Sequence, residues 1–178
     1  MIPRIPIPIE QLITRSYSLW DEQWFLLTAG DFATGKFNTM TISWGSLGVL
    51  WDRPIAQVVV RPHRYTFEFM EQYPSFTLCA FGAKYHEVID TLGSVSGRDG
   101  DKIQESGLTP ELAQKVGAPA FAEAELVIEC KKLYWQDMDP THFLDTQLEK
   151  NYPRKDYHRM YYGEIMAVEG VPAYFRRP

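Results

Sequence analysis

The strongest constraint on the fold is the succession of four strand-like stretches across residues 24–81, with a single short helical interval among them. Residues 24–29 form an apolar run closed by the turn signal Gly30-Asp31. Residues 37–44 alternate with period 2, putting Asn38, Met40, Ile42 and Trp44 on one face and Thr39, Thr41 and Ser43 on the other. Residues 55–60 follow Arg53-Pro54, are rich in β-branched side chains, and read as a buried strand. Residues 64–71 predict a short helix, and residues 75–81 the next strand.

The middle of the chain is helical in pattern. Residues 84–92 fit a helix closed by Gly93, and residues 99–106 a second, with Asp99 or Asp101 near its start and Gly107 past its end. Thr109-Pro110-Glu111 predicts a third helix to Val116, with Thr as cap and Pro in the first turn. Residues 126–135 and 158–168 return to strand patterning, and the polar, aromatic stretch 136–157 reads as loop. Many strands with helices inserted late, and no regular strand–helix alternation, predict a mainly β fold with inserted helices rather than a doubly wound sheet. No GxGxxG occurs, so a nicotinamide nucleotide would have to bind transiently beside another cofactor.

A length of 178 residues predicts one domain spanning 1–178. The net charge of −5 argues against a nucleic-acid partner but leaves room for one phosphate in a local cationic cluster. Ten Tyr and five Trp suit a β-rich core and a flat-ligand pocket or interface equally. Cys79 and Cys130 sit in apolar runs and are expected as buried thiols; no metal-ligand spacing occurs. The Ile/Pro alternation at the start is not a signal h-region, and no apolar run could span a bilayer. The expectation is a cytoplasmic protein with no membrane partner.

Three segments carry chemistry. Asn38-Thr-Met-Thr-Ile-Ser-Trp44 is either a plain amphipathic strand or a strand edge offering backbone groups and hydroxyls to a flat ligand. Arg61-Pro-His-Arg-Tyr-Thr66 puts cations where a strand ends and a helix begins, and free N–H groups there favour phosphate. The alternative is that its arginines pair with Glu68 or Glu71. Ser96-Gly-Arg-Asp-Gly-Asp-Lys102 has the content of an anion nest or of a solvated turn.

In combination and order these segments resemble the flavin reductase-like family, including its flavoredoxin-type relatives; the likeness spans about residues 24–168. The resemblance implies an FMN-binding split β-barrel, commonly a homodimer with FMN near the interface. It implies Asn38, Met40, Thr41, Ser43 and Trp44 along the flavin, and Arg61, Arg64, Tyr65, Thr66, Ser96, Arg98 and Lys102 toward its phosphate or ribityl chain. Asp156-Tyr157-His158 looks like a variant of a Gly-Asp-His stretch found in relatives that reduce flavin with nicotinamide, departing from it by the intervening Tyr157. His158 is therefore the candidate to orient NAD(P)H or shuttle a proton at neutral pH, unless it is a histidine bonded to a neighbouring carboxylate. The implied activity is hydride transfer from NAD(P)H to flavin and on to a small-molecule or protein acceptor. A flavoredoxin-like electron carrier without NAD(P)H activity of its own is the alternative.

Overall fold

The computed structural model describes residues 3–176. Ten strands appear: β1 (Ile5–Pro6), β2 (Phe25–Asp31), β3 (Lys36–Ile42), β4 (Gly45–Leu50), β5 (Arg53–Val60), β6 (Ser75–Ala80), β7 (Pro110–Glu111), β8 (Ala120–Phe121), β9 (Leu126–Asp137) and β10 (Arg159–Gly170). The helices are α1 (Ser18–Asp21), α2 (Tyr65–Gln72), α3 (His86–Ser94) and α4 (Lys102–Glu105). One sheet runs β3-β2-β6-β9-β10-β5-β4, with β1 added to β10, and its register pairs are antiparallel.

The two ends of that path are covalent neighbours. Only Ser43 and Trp44 separate β3 from β4, a reach of about 11 Å over three Cα steps. Laid flat, six inter-strand gaps would hold the edges roughly 29 Å apart. The sheet must therefore roll up with its edges facing but unpaired, a split barrel.

Alternating residues divide the core into two layers. Leu27, Leu78 and Ile128 join Phe25, Met40, Phe76, Tyr161 and Met70 of α2 in one cluster. Their chain neighbours Leu26, Cys79 and Val127 pack in the other, under Ile89 and Leu92 of α3, Ile103 of α4 and Phe121. Both cysteines are buried free thiols, and burial pushes Cys79 up to about 12, which makes it inert. Gly163, beside a register shift in β10, sits against the Phe76 ring where a Cβ would collide.

The structure corrects four local expectations. Residues 109–116 are not a helix: Thr109 N–H donates to Glu123, Ala122 N–H to Thr109 O, and β7 pairs with β8. Further on, Gln114 and Lys115 give their N–H groups to the buried Glu129 carboxylate instead of to a helical turn. Strand β3 stops at Ile42, and its hydroxyl face is not solvated: Thr39 is buried and bonded to Thr28 and Leu27 O. Gly93 lies within α3, packed against Thr41, rather than closing the helix. The helix predicted over 99–106 is confined to α4, with Asp101 accepting from Gln104 N–H at its start. Strand β4 and the short α1 gave no signal in the sequence pattern. Among the described residues no helix is long and apolar enough to cross a membrane, and no metal-binding cluster forms.

Candidate functional site

Pairing of Arg159 with Val60 brings the end of β5 and the start of β10 together, so Arg61 and His158 emerge side by side. The end of β3 lies against them, with the Trp44 and His158 rings 5.2 Å apart. The result is a cleft of about 400 Å³ lined by Met40, Thr41, Ile42, Ser43, Trp44, Val59, Arg61, His63, Arg64, Gly93 and His158. This is within the size range of small-ligand sites. A second hollow of about 210 Å³ shares Met40, His63 and Arg64 with it. It continues along Asn38, Tyr65, Thr66, Ser96, Gly97 and Lys102. Twelve of the thirteen candidate residues thus line one connected depression; Arg98 is the exception.

The deeper end is anchored on regular elements. Asn38 of β3 donates to Thr66 Oγ1 of α2 at 2.7 Å, both side chains buried. Gly97 passes directly over Asn38 Oδ1 and the Tyr65 ring, an approach that leaves no room for a Cβ. Arg64 occupies the N-cap of α2, where no side chain caps the helix, and its guanidinium donates to Gly93 O. Lys102 is buried, with Nζ donating to Leu92 O at 2.7 Å and Val95 O at 2.9 Å beside the end of α3. An ammonium has three protons, so one remains for the hollow. Burial, then the Arg64 charge, push Lys102 down to about 8. Burial and Arg61 lower Arg64 as well. Two cations and an uncapped helix N-terminus make this end ready for an anion.

The outer end depends on a loop. Arg61 does not project freely toward the hollow: it donates to Asp156 Oδ2 at 3.0 Å and Asn151 O at 2.8 Å, and lies 5.1 Å over the Tyr152 ring. His63 Nδ1 is 3.0 Å from the same Asp156 oxygen, while Asp156 Oδ1 is buried without a partner. The carboxylate next in chain to Tyr157 has captured Arg61, which therefore clasps residues 151–156 onto the barrel.

His158 is buried, and Nδ1 lies 2.8 Å from Tyr152 Oη rather than from a carboxylate. Burial, then the Arg61 charge, push its pKa down to about 4, against Asp156 and with His63. A ring held this way is neutral at pH 7 and faces the cleft as an uncharged polar group.

The remaining candidates divide. Thr41 gives its hydroxyl to Ile89 O, whereas Ser43 makes no side-chain hydrogen bond among the described residues. Ser96 Oγ accepts Arg98 N–H within its own turn. Arg98 stands outside, donating to His63 O and Glu68 and covering the Tyr65 ring at 4.9 Å. The alternative pairing does not involve Arg61 or Arg64: Glu68 pairs with Arg98, and Glu71 with Arg159. Sequence reasoning missed His63, Gly93, Gly97 and Tyr152. His63 and Gly97 lie inside segments already singled out and Gly93 was read only as a helix stop; Tyr152 sits in a stretch without a pattern. A larger hollow of about 970 Å³ abuts the anion end through Asn38, Tyr65, Gly97 and Lys102, and another of about 760 Å³ lies between residues 13–23 and the start of α3.

The flavin reductase like domain profile matches residues 22–177. Among solved structures, the flavoredoxin of Desulfovibrio vulgaris is 23% identical with a TM-score of 0.66, covering 91% of this chain and 73% of its own. The FMN-binding protein of Thermus thermophilus is 19% identical with a TM-score of 0.68, covering 93% and 81%. The NADH:FAD oxidoreductase SgcE6 of Streptomyces globisporus is 17% identical with a TM-score of 0.63, covering 85% and 76%. No curated protein matches. The rolled sheet, the uncapped α2 with its two cations, and a profile match over most of the length agree: the chain belongs to the flavin reductase like domain family, a family of flavin-binding split barrels.

Proposed function

We propose that this protein is an FMN-dependent oxidoreductase that accepts hydride from NAD(P)H and passes electrons to a small molecule or a protein. The observation that carries the proposal is the convergence of an apolar cleft and an anion end on one depression. The residues fit the cofactor in chemical kind. Met40, Ile42, Val59 and Trp44 offer flat apolar surface for an isoalloxazine. Arg64, the α2 N-terminus and the third proton of Lys102 suit a phosphate of about −1.5 to −2 charge. Bound FMN would supply the reversible hydride chemistry. The chain would bind and orient: β3 walls one side, neutral His158 presents a polar edge between Trp44 and Arg61, and the clasped 151–156 segment limits water at the outer end.

A second copy of the chain is the proposed structural partner. Trp51 is 54% exposed at the tip of the β4–β5 hairpin, held at φ +53. It clusters with Tyr134 and Tyr162 at ring separations of 5.9 and 6.3 Å, beside the exposed Val49. A bulky residue in the left-handed region costs on the order of 1 kcal/mol or more and points to a use for the exposed ring. Sedimentation of wild type as a dimer and of Trp51→Glu as a monomer is the expected result.

The functional test is the visible spectrum of the protein with FMN, followed by anaerobic NADPH and then NADH. Rapid bleaching of bound flavin is expected. Flavin that binds but stays yellow would transfer the assignment to an electron carrier, and absence of binding would end the flavin reading altogether.

A further inference from the structure

Tyr152 and His158 are both buried, at 6% and 8% exposure, and their polar atoms meet at 2.8 Å. A phenol carries one proton. Two acceptors lie within its reach, His158 Nδ1 and, at 3.3 Å, the Met138 thioether sulfur. An imidazole nitrogen is much the stronger acceptor, so the proton goes to Nδ1 and the sulfur contact is secondary. A neutral ring with Nδ1 accepting must carry its own proton on Nε2. Among the described residues Nε2 has no hydrogen-bond partner, and the ring lines the cleft beside Trp44.

The phenol is itself fixed in place. Phe143 stacks on the Tyr152 ring at 5.9 Å and 14°, Arg61 covers it at 5.1 Å, and Tyr157 packs at 5.0 Å. The charged and titratable groups facing the pair are Arg61, His63 and Asp156. The first two oppose a second proton on His158, and Asp156 is already engaged by both of them.

We propose that Tyr152 is a positioning residue that locks His158 as its Nε2–H tautomer, so that the cleft wall is a fixed hydrogen-bond donor selecting ligands that present an acceptor there. The matching chemistry is a carbonyl acceptor on the second substrate, such as a carboxamide oxygen, and not an N–H or ammonium group. This specificity rests on the flavin-and-nicotinamide reading; the tautomer does not.

The test is ¹⁵N NMR of histidine-labelled full-length protein, with and without FMN. Expected for wild type is a single His158 tautomer protonated at Nε2 and unchanged from neutral pH down to about pH 5. Tyr152→Phe keeps the aromatic packing and should give a mixture with a measurable Nδ1–H fraction, the His63, His86 and His142 signals reporting an intact fold. An Nδ1–H ring in wild type, or an undiminished Nε2–H tautomer in Tyr152→Phe, would overturn the proposal. The wild-type spectrum decides by itself if the variant does not fold. With FMN and NADH, Tyr152→Phe should slow flavin bleaching several-fold while leaving FMN affinity within about twofold, a split that general loosening of the fold would not produce. Failure of FMN to bind wild type would overturn the functional reading and leave the tautomer result standing.

Discussion

The two ends of the depression use the same kinds of residue and hold them differently. At the anion end, Arg64 and Lys102 are fixed by backbone carbonyls of residues 92–95, and Asn38 ties β3 to α2. At the outer end, Arg61, His63 and His158 are fixed by side chains and a carbonyl of an irregular loop, Asp156, Tyr152 and Asn151. Arg61 and Arg64 are three residues apart in one motif, yet one binds a loop and the other is turned toward a helix end. A cation held by a carbonyl keeps its full charge for a ligand, whereas one paired with a carboxylate is already largely neutralised. The anion end thus keeps its charge available, whereas at the outer end the charge is spent on holding the loop.

The largest effect should come from breaking the anion end sterically. Gly97→Val would drive a side chain into Asn38 and Tyr65, and overpacking of this kind costs about 1–3 kcal/mol. If the strain is relieved by moving Asn38 and Tyr65 into the hollow, binding must undo that shift, and FMN affinity should fall by up to about 100-fold. Isothermal titration checks it, and an unchanged affinity would mean that the ligand lies elsewhere.

The contrast between the two arginines comes next. Arg64→Ala should weaken FMN binding by about 2 kcal/mol, or roughly 30-fold, the scale of a lost charged hydrogen bond. Arg61→Ala should change affinity less than about threefold while exposing residues 151–156 to limited proteolysis, because Asp156 and the Tyr152 ring lose their partner together. Equal losses of affinity in the two variants would erase the distinction between the ends.

This difference also explains what the sequence made legible. Strands β2, β3, β5, β6, β9 and β10 carry long apolar or alternating runs, and the phosphate segment follows a strand-to-helix junction, so local pattern and tertiary role coincide. Strand β4, Gly45-Ser-Leu-Gly-Val-Leu50, has two glycines and is specified by its pairing with β5 and a tight hairpin, neither of which is a local property. The Thr109-Pro110 signal was overridden by distant carboxylates, Glu123 and Glu129, that took the N–H groups a helix would have used. At the outer end, Tyr152 acquires its role only when residues 138–157 fold back onto Arg61. Nothing in its neighbourhood along the chain marks it.

A smaller effect tests whether the outer end is as dry as its geometry implies. The folded pKa of His158, about 4, lies below the ordinary 6.5, so the unfolded chain binds a proton that the native protein refuses. This contribution to stability is complete above about pH 6.5 and declines as pH falls toward 4, by at most about 1.4 kcal/mol per pH unit. Below that both states are protonated and the decline stops. His158→Gln should make the decline over about pH 6.5 to 4 shallower by this contribution, as read from urea denaturation at a series of pH values. Identical slopes in wild type and variant would show that the ring is hydrated and titrates normally.

The smallest effect concerns Lys102, which belongs both to the scaffold and to the anion end. Its folded pKa of about 8 reflects burial and the Arg64 charge, and a bound phosphate would oppose both. If the third ammonium proton reaches the phosphate, binding must take up a proton wherever the free protein has lost one. FMN affinity should then be nearly flat below about pH 7 and fall about fourfold between pH 7 and 8.5. FMN is already a dianion throughout that range, so the change cannot arise from the ligand. Riboflavin, which lacks the phosphate, should show no such decline. Parallel pH profiles for FMN and riboflavin would confine Lys102 to holding Leu92 and Val95 in place, leaving Arg64 and the α2 N-terminus as the whole of the anion site.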